Sequence, residues 1–143
     1  MRLWHKALLP ALPDNQLRGQ WRECCLIAKG LRDGNLNHLL VNKVKEYPLG
    51  HLFTYGMFVA AEMEKRGMVV NDSVFRRYFP AEFDIDNLPL EFEDVFAGWH
   101  NERYFCQCYF NLQEKYDCGG MTSEDWKRIE AAQHCYFKML AEE

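Results

Sequence analysis

The chain has 143 residues, one domain's length, and its 48% hydrophobic and 15% aromatic content supplies a real core, which excludes disordered, collagen-like and coiled-coil classes. No apolar run approaches the ~20 residues of a spanning helix, and Met1 to Pro10 lacks the apolar stretch of an export signal, so a cytoplasmic protein with no membrane contact is expected. The net charge of −4 argues against nonspecific coating of nucleic acid, yet residues 1–70 hold 10 basic and 6 acidic side chains and residues 71–143 hold 7 and 15, so a polyanion should meet the first half.

In chain order the periodicity is helical. Asp14 is placed to cap a helix running to about Leu31, with Leu17, Trp21, Cys24, Ala28 and Leu31 on one apolar stripe and Asp33-Gly34-Asn35 as its stop. A short helix is expected over His38 to Lys45. A third helix begins near Pro48, repeats Leu49, Leu52, Phe53, Met57, Ala60 and Met63 at helical spacing, and stops at Lys65-Arg66-Gly67. Residues 80 to 98 read as an extended loop with six acids: either a solvated linker with a few docked aromatics or an acidic arm that mimics DNA. Two helices, about Trp99 to Tyr116 and Thr122 to Leu140, flank the turn Asp117-Cys118-Gly119-Gly120, and Thr122 with Asp125 forms a capping box with Asp replacing the usual Glu. The expectation is an all-α, compact single domain over residues 1–143: a core at 1–70, an acidic loop at 80–98 and a C-terminal αα-hairpin at 99–141.

The six cysteines read as thiols in a reducing compartment. Cys106, Cys108, Cys118 and His134 are open to two readings, a metal set or buried thiols on helix faces.

On the first long helix, with Arg18 at zero, Lys29, Arg22 and Arg32 fall at about 20°, 40° and 320°, a basic ridge. It is either a solvated face or a phosphate-binding one. Glu23 falls near 140°, on the same face as Gly19 near 100° and Gly30 near 120°. Glycine within a helix costs about 1 kcal/mol relative to alanine. Two on one face therefore point to close approach by something else, and a carboxylate there can act on a bound group without side chains in the way. No Ser-His-Asp order, phosphate loop or H-E-x-x-H motif is present.

Met1-Arg2-Leu3-Trp4-His5-Lys6, the segment from Leu17 through Gln20 to Trp21-Arg22-Glu23, and the stretch from His51 ending Glu62-Met63-Glu64-Lys65-Arg66-Gly67 together resemble the pyrimidine-dimer DNA glycosylase family, over roughly the first half of the chain. The resemblance implies an all-helical fold and a DNA repair glycosylase with abasic-site lyase activity on damaged double-stranded DNA, using no metal or organic cofactor. It makes the α-amine of Met1 the nucleophile that forms an imine with the sugar, Glu23 the group that stabilises the cationic sugar, and Arg2 and Arg22 DNA contacts; Arg18, Lys29 and Arg32 join them from the ridge. An α-amine titrates at about 7.7 to 8.0 in model peptides, so a neutral fraction exists near pH 7. Arginine at position 2 is too large for removal of the initiator methionine.

The departures are specific. Gln16 stands where the family's phage member has a histidine that contacts DNA, Leu26 where it has an arginine, and the chain ends Lys138-Met139-Leu140-Ala141-Glu142-Glu143 instead of in a basic, aromatic tail. The alternative reading is a noncatalytic helical module that binds nucleic acid or protein on the same scaffold. A monomer is expected in either case.

Overall fold

The computed structural model describes residues 1–83 and 88–143. Among these the ordered elements are helices, and no strand occurs. The N-terminal segment leads into a 3-10 helix, Lys6–Ala11, then α1 (Asp14–Asp33), a 3-10 turn (Asn42–Glu46), α2 (Leu49–Lys65), the short α3 (Ser73–Arg76), a 3-10 turn (Phe92–Asp94), and the hairpin of α4 (Glu102–Asp117) and α5 (Ser123–Ala141). The protein is all-α, as the sequence implied. No helix among the described residues is long and apolar enough to cross a membrane.

Helix α1 buries Leu17, Cys24, Ile27 and Ala28 against α2, with Trp21 and Leu31 half-buried at the edge. It ends at Gly34, whose φ of 71° is a left-handed conformation costly for other residues. Asp14 is not the cap. Pro13 holds that position, and the Asp14 carboxylate lies in the first turn, where it pairs with Arg66 Nη1 at 2.9 Å. Arg66 also donates to the carbonyls of Leu12 and Pro10, so the guanidinium that closes α2 fastens the entry to α1. The helix expected over His38 to Lys45 is instead a hydrogen-bonded turn followed by the 3-10 turn Asn42–Glu46; Asn42 spends its side-chain oxygen on the His38 N–H. Helix α2 runs from Leu49 to Lys65 and follows Pro48, as the spacing indicates.

Four elements were not expected: the 3-10 helix at Lys6–Ala11, α3, the 3-10 turn Phe92–Asp94, and the buried turn before α4. Their signals are too short for periodicity to register. Helix α3 exists because Phe75 is fully buried against α2, where Gly56 leaves its ring no side chain to meet; a Cβ there would lie 2.5 Å from Phe75.

The acidic stretch is docked rather than solvated at several points. Phe83 packs on Phe53 and Phe79, the Leu90 N–H donates to Thr54 Oγ1 at 3.1 Å, and Val95 and Phe96 are fully buried. Asp84 and Asp86 lie outside the described residues. Buried Lys6 satisfies all three ammonium protons on the carbonyls of Phe92, Glu93 and Val95, at 2.6, 3.1 and 2.7 Å. In the hairpin, α4 starts at Glu102, three residues later than Trp99, and is capped by Asn101, and the Thr122–Asp125 capping box is present in both directions.

Candidate active site

The first five residues run extended like a lone strand with no sheet to join, so their backbone polar groups need partners from elsewhere. Side chains supply them. Gln20, on α1 and fully buried, accepts the Trp4 N–H at 2.7 Å and donates to the Arg2 carbonyl at 2.8 Å. The Tyr55 hydroxyl of α2 donates to the Trp4 carbonyl at 2.6 Å, and the Tyr104 hydroxyl of α4 to the Leu3 carbonyl at 2.6 Å. The His5 N–H points at Cys108 Sγ (3.4 Å), and the Lys6 N–H donates to His100 Nδ1 (3.0 Å). Burial pushes both tyrosine hydroxyls well above their usual titration range, so they remain donors at any physiological pH.

This anchoring brings the chain's first residues to Glu23. The Glu23 Oε2 atom accepts the Arg2 N–H at 3.3 Å and the Gln20 Nε2–H at 3.2 Å, while Oε1 takes no protein hydrogen bond among the described residues. Three covalent bonds separate the Met1 amine from the Arg2 nitrogen, a span of at most about 4 Å. No ion pair joins that amine to Glu23 among the described residues. The two residues face a common cleft of about 240 Å³, lined also by Arg2, Trp4, Gln16, Gly19, Gln20, Leu40, Asn111 and Lys115.

The two glycines of the α1 face have different reasons. At Gly19 a Cβ would meet only Arg22 Nη2, at 3.8 Å, so no neighbouring element excludes a side chain and the helix surface there opens to the cleft. At Gly30 a Cβ would lie 3.2 Å from that of Leu36, so this glycine serves the turn that folds back over α1.

Of the basic residues, Arg22 lies over Gly19 at the cleft, and Lys29 shares with Met1 and Leu26 the groove next to it. Arg2 is half-buried; its guanidinium stacks on Trp4 at 5.5 Å and points to Cys108 Sγ at 3.8 Å. Arg18 lies on another pocket with Asp14 and Arg66. Arg32 pairs with Asp33 at 3.0 Å and covers the Tyr78 ring. The structure thus gathers Met1, Glu23 and Arg2 on one cleft, brings the end of the Arg22 side chain near its Gly19 and Lys29 to the adjoining groove, and leaves Arg18 and Arg32 elsewhere.

The metal reading of the cysteines is not supported: no set of three or more metal-ligating side chains gathers among the described residues. Cys108 is buried beneath the N-terminal strand, whereas Cys118 is exposed at the hairpin turn.

Sequence reading missed Gln20, Tyr55, His100, Tyr104, Cys108, Asn111 and Lys115. Only Gln20 carried a signal, a polar amide at about 200° on the helical projection, next to Leu31 at about 220° within the apolar stripe. The others come from distant elements, and nothing in their spacing announces that they converge on a strand.

The sequence profile of the pyrimidine dimer DNA glycosylase family matches residues 1–76. The chain belongs to that family. No curated protein and no solved structure matches it.

Proposed function

We propose that the cleft between Met1 and Glu23 is the active site of a DNA repair glycosylase that also cleaves the abasic strand. The Met1 α-amine attacks C1′ of the damaged nucleotide, the bond from C1′ to the base breaks, and the base leaves with a proton. Loss of the amine protons and opening of the sugar ring give an imine. Removal of a C2′ proton then breaks the C3′–O bond by β-elimination, and water releases the amine. Glu23 stabilises the positive charge that develops on the sugar and relays protons; Arg2 and Arg22 meet the phosphates, with Lys29 on the adjoining groove.

The observation that carries this reading is the Arg2 N–H on Glu23 Oε2. It ties the residue next to the amine to the carboxylate on the cleft, in a family named for glycosylase action on pyrimidine dimers in DNA. The carboxylate is held by two donors on one oxygen, so its position is set before any substrate arrives.

Borohydride trapping on abasic duplex tests the nucleophile, because only an imine is reduced to a stable link. Wild-type protein should trap, and protein acetylated at its α-amine should not. Glu23→Gln should slow base release from damaged duplex by roughly 10² to 10⁴, the range for a positioned acid, base or electrostatic stabiliser. It should slow trapping on a preformed abasic site less, since the base is already gone. Acetylated protein that cleaves abasic DNA at the native rate would remove the mechanism.

A further inference from the structure

Exposed large apolar side chains are few among the described residues, and three of the eight line the cleft or the groove next to it, with a fourth, Leu39, adjacent in the chain to one of them. Met1, Leu26, Leu39 and Leu40 are 39, 55, 89 and 47% exposed; the remaining four, Val69, Phe92, Phe110 and Met139, lie elsewhere in the chain. Leu40 lines the cleft itself, and Leu26 shares the neighbouring groove with Met1.

Leu39 is held out, not left loose. The His38 carbonyl accepts the N–H groups of Val41 and Asn42 at 3.0 and 2.9 Å. The His38 ring takes the Leu40 N–H at 3.3 Å, and the Asn42 side chain caps the His38 N–H at 2.9 Å. Val41, fully buried, and Val44 root this turn in the core. Leu39 thus sits almost wholly in water on a rooted turn that runs on to exposed Lys43 and Lys45, with Lys29 sharing a groove with the neighbouring His38; Asp33 and Glu46 are the acids of the same region, three lysines to two.

We propose that Leu39, backed by Leu40, is a wedge that enters the base stack of the damaged duplex and holds open the gap left when a nucleotide moves out. The inference rests on the reading of the cleft as a damaged-DNA site and adds how the duplex is opened there. An amine at a protein surface cannot reach C1′ inside an undistorted duplex, and unstacking is unfavourable unless something occupies the gap. A leucine loses its exposure on entering the stack, and the lysines around it draw the two phosphate strands to either side. The charge pattern selects DNA over an apolar partner.

The experiment places 2-aminopurine beside the lesion in a duplex and follows its fluorescence on binding, with no turnover required. Wild-type protein should raise the signal as the base unstacks. Leu39→Ala should abolish most of the rise, and the ratio of duplex to single-strand cleavage rates should fall on the order of tenfold. An unchanged signal and an unchanged ratio overturn the wedge. So does a concentration-dependent dimer that Leu39→Ala dissolves without altering the fluorescence, which assigns the patch to a second copy of the chain. Protein that unstacks DNA through Leu39 yet traps no imine keeps the wedge and loses the catalytic reading, so the two fail separately.

Discussion

The N-terminal strand with α1 and the C-terminal hairpin meet the same physical problem, unpaired backbone and apolar surface, in opposite ways. The hairpin solves it locally: α4 is capped by Asn101, α5 by the Thr122–Asp125 box, and stacked rings such as Phe105 on Tyr136 (4.0 Å) fill the space between them. The strand solves it mostly at a distance, although its His5 carbonyl accepts the local Leu8 N–H at 2.8 Å. Its N–H and carbonyl groups are satisfied by Gln20, Tyr55, His100, Tyr104 and Cys108, drawn from α1, α2, α4 and the turn before α4. The family profile stops at residue 76, yet three of these five partners lie beyond it. Helix α4 of the hairpin therefore walls the cleft through Asn111 and Lys115, and the division into a first-half core and later appendages marks resemblance more than architecture. We propose that residues 1–143 fold as one unit for that reason.

The largest way to break this comparison is to remove one partner of the strand from each half. Gln20→Leu keeps the volume but leaves the Trp4 N–H and the Arg2 carbonyl buried without their amide partner, at about 1–3 kcal/mol each; a destabilisation of roughly 4 kcal/mol is expected in denaturant unfolding. Tyr104→Phe removes only the hydroxyl bond to the Leu3 carbonyl and should cost about 1–2 kcal/mol. Both should lower imine trapping by the protein that remains folded. If Tyr104→Phe leaves stability and trapping untouched, the hairpin is an appendage after all.

Acid sharpens the comparison, because His5 belongs to the strand and His100 to its wall, with ring centroids 5.1 Å apart. Burial holds His5 down from its ordinary 6.5 to about 4, and burial, then the charges of His5 and Lys6, hold His100 well below its usual value. Each accepts a backbone N–H at Nδ1 and so carries its proton on Nε2. The unfolded chain takes up protons below pH 6.5, whereas folded His5 refuses them until about pH 4. The stability from a neutral His5 is complete above pH 6.5 and is lost as pH falls to about 4, by roughly 3 kcal/mol. Urea midpoints should fall steeply across that window. A flat profile from pH 7 to 4.5 would mean that the pair titrates normally and that the wall is not sealed.

Much of this was legible in the sequence where a periodic or punctuated signal exists. Apolar spacing located α1, α2, α4 and α5; Gly34, Gly67 and the Thr122–Asp125 pair marked ends; the flanking of Glu23 by Gly19 pointed to the cleft. What was not legible is convergence. Lys6 reads as a surface charge until three carbonyls close on it, and Cys108 reads as a helix-face thiol until the His5 N–H is found above it. The wheel also treated Gly19 and Gly30 alike, because it sees one helix and not the turn that returns Leu36 to Gly30. Arg18 and Arg32 share an arc with Arg22 on that projection, but Arg18 lines a different pocket and Arg32, at the far end of α1, pairs with Asp33.

The smallest effect asks whether Gly19 is open for a purpose. A glycine inside an exposed helical turn is unfavourable by about 1 kcal/mol relative to alanine, and the only atom near its missing Cβ is the end of the flexible Arg22 side chain, 3.8 Å away. Gly19→Ala should therefore raise stability by about 1 kcal/mol, a Tm gain of roughly 3 °C at this size. Gly19→Leu keeps nearly the same helix preference and sends three further carbons toward Met1 and Glu23. It should be at least as stable as wild type yet turn over damaged duplex on the order of tenfold more slowly, because the side chain takes space that a nucleotide needs. The opposed directions are what make the pair decisive: a folding defect lowers both quantities, while obstruction raises one and lowers the other. Gly19→Leu protein that is stabilised and cleaves damaged duplex at the native rate would show that nothing approaches this turn of α1, and the cleft would lose its claim to the sugar.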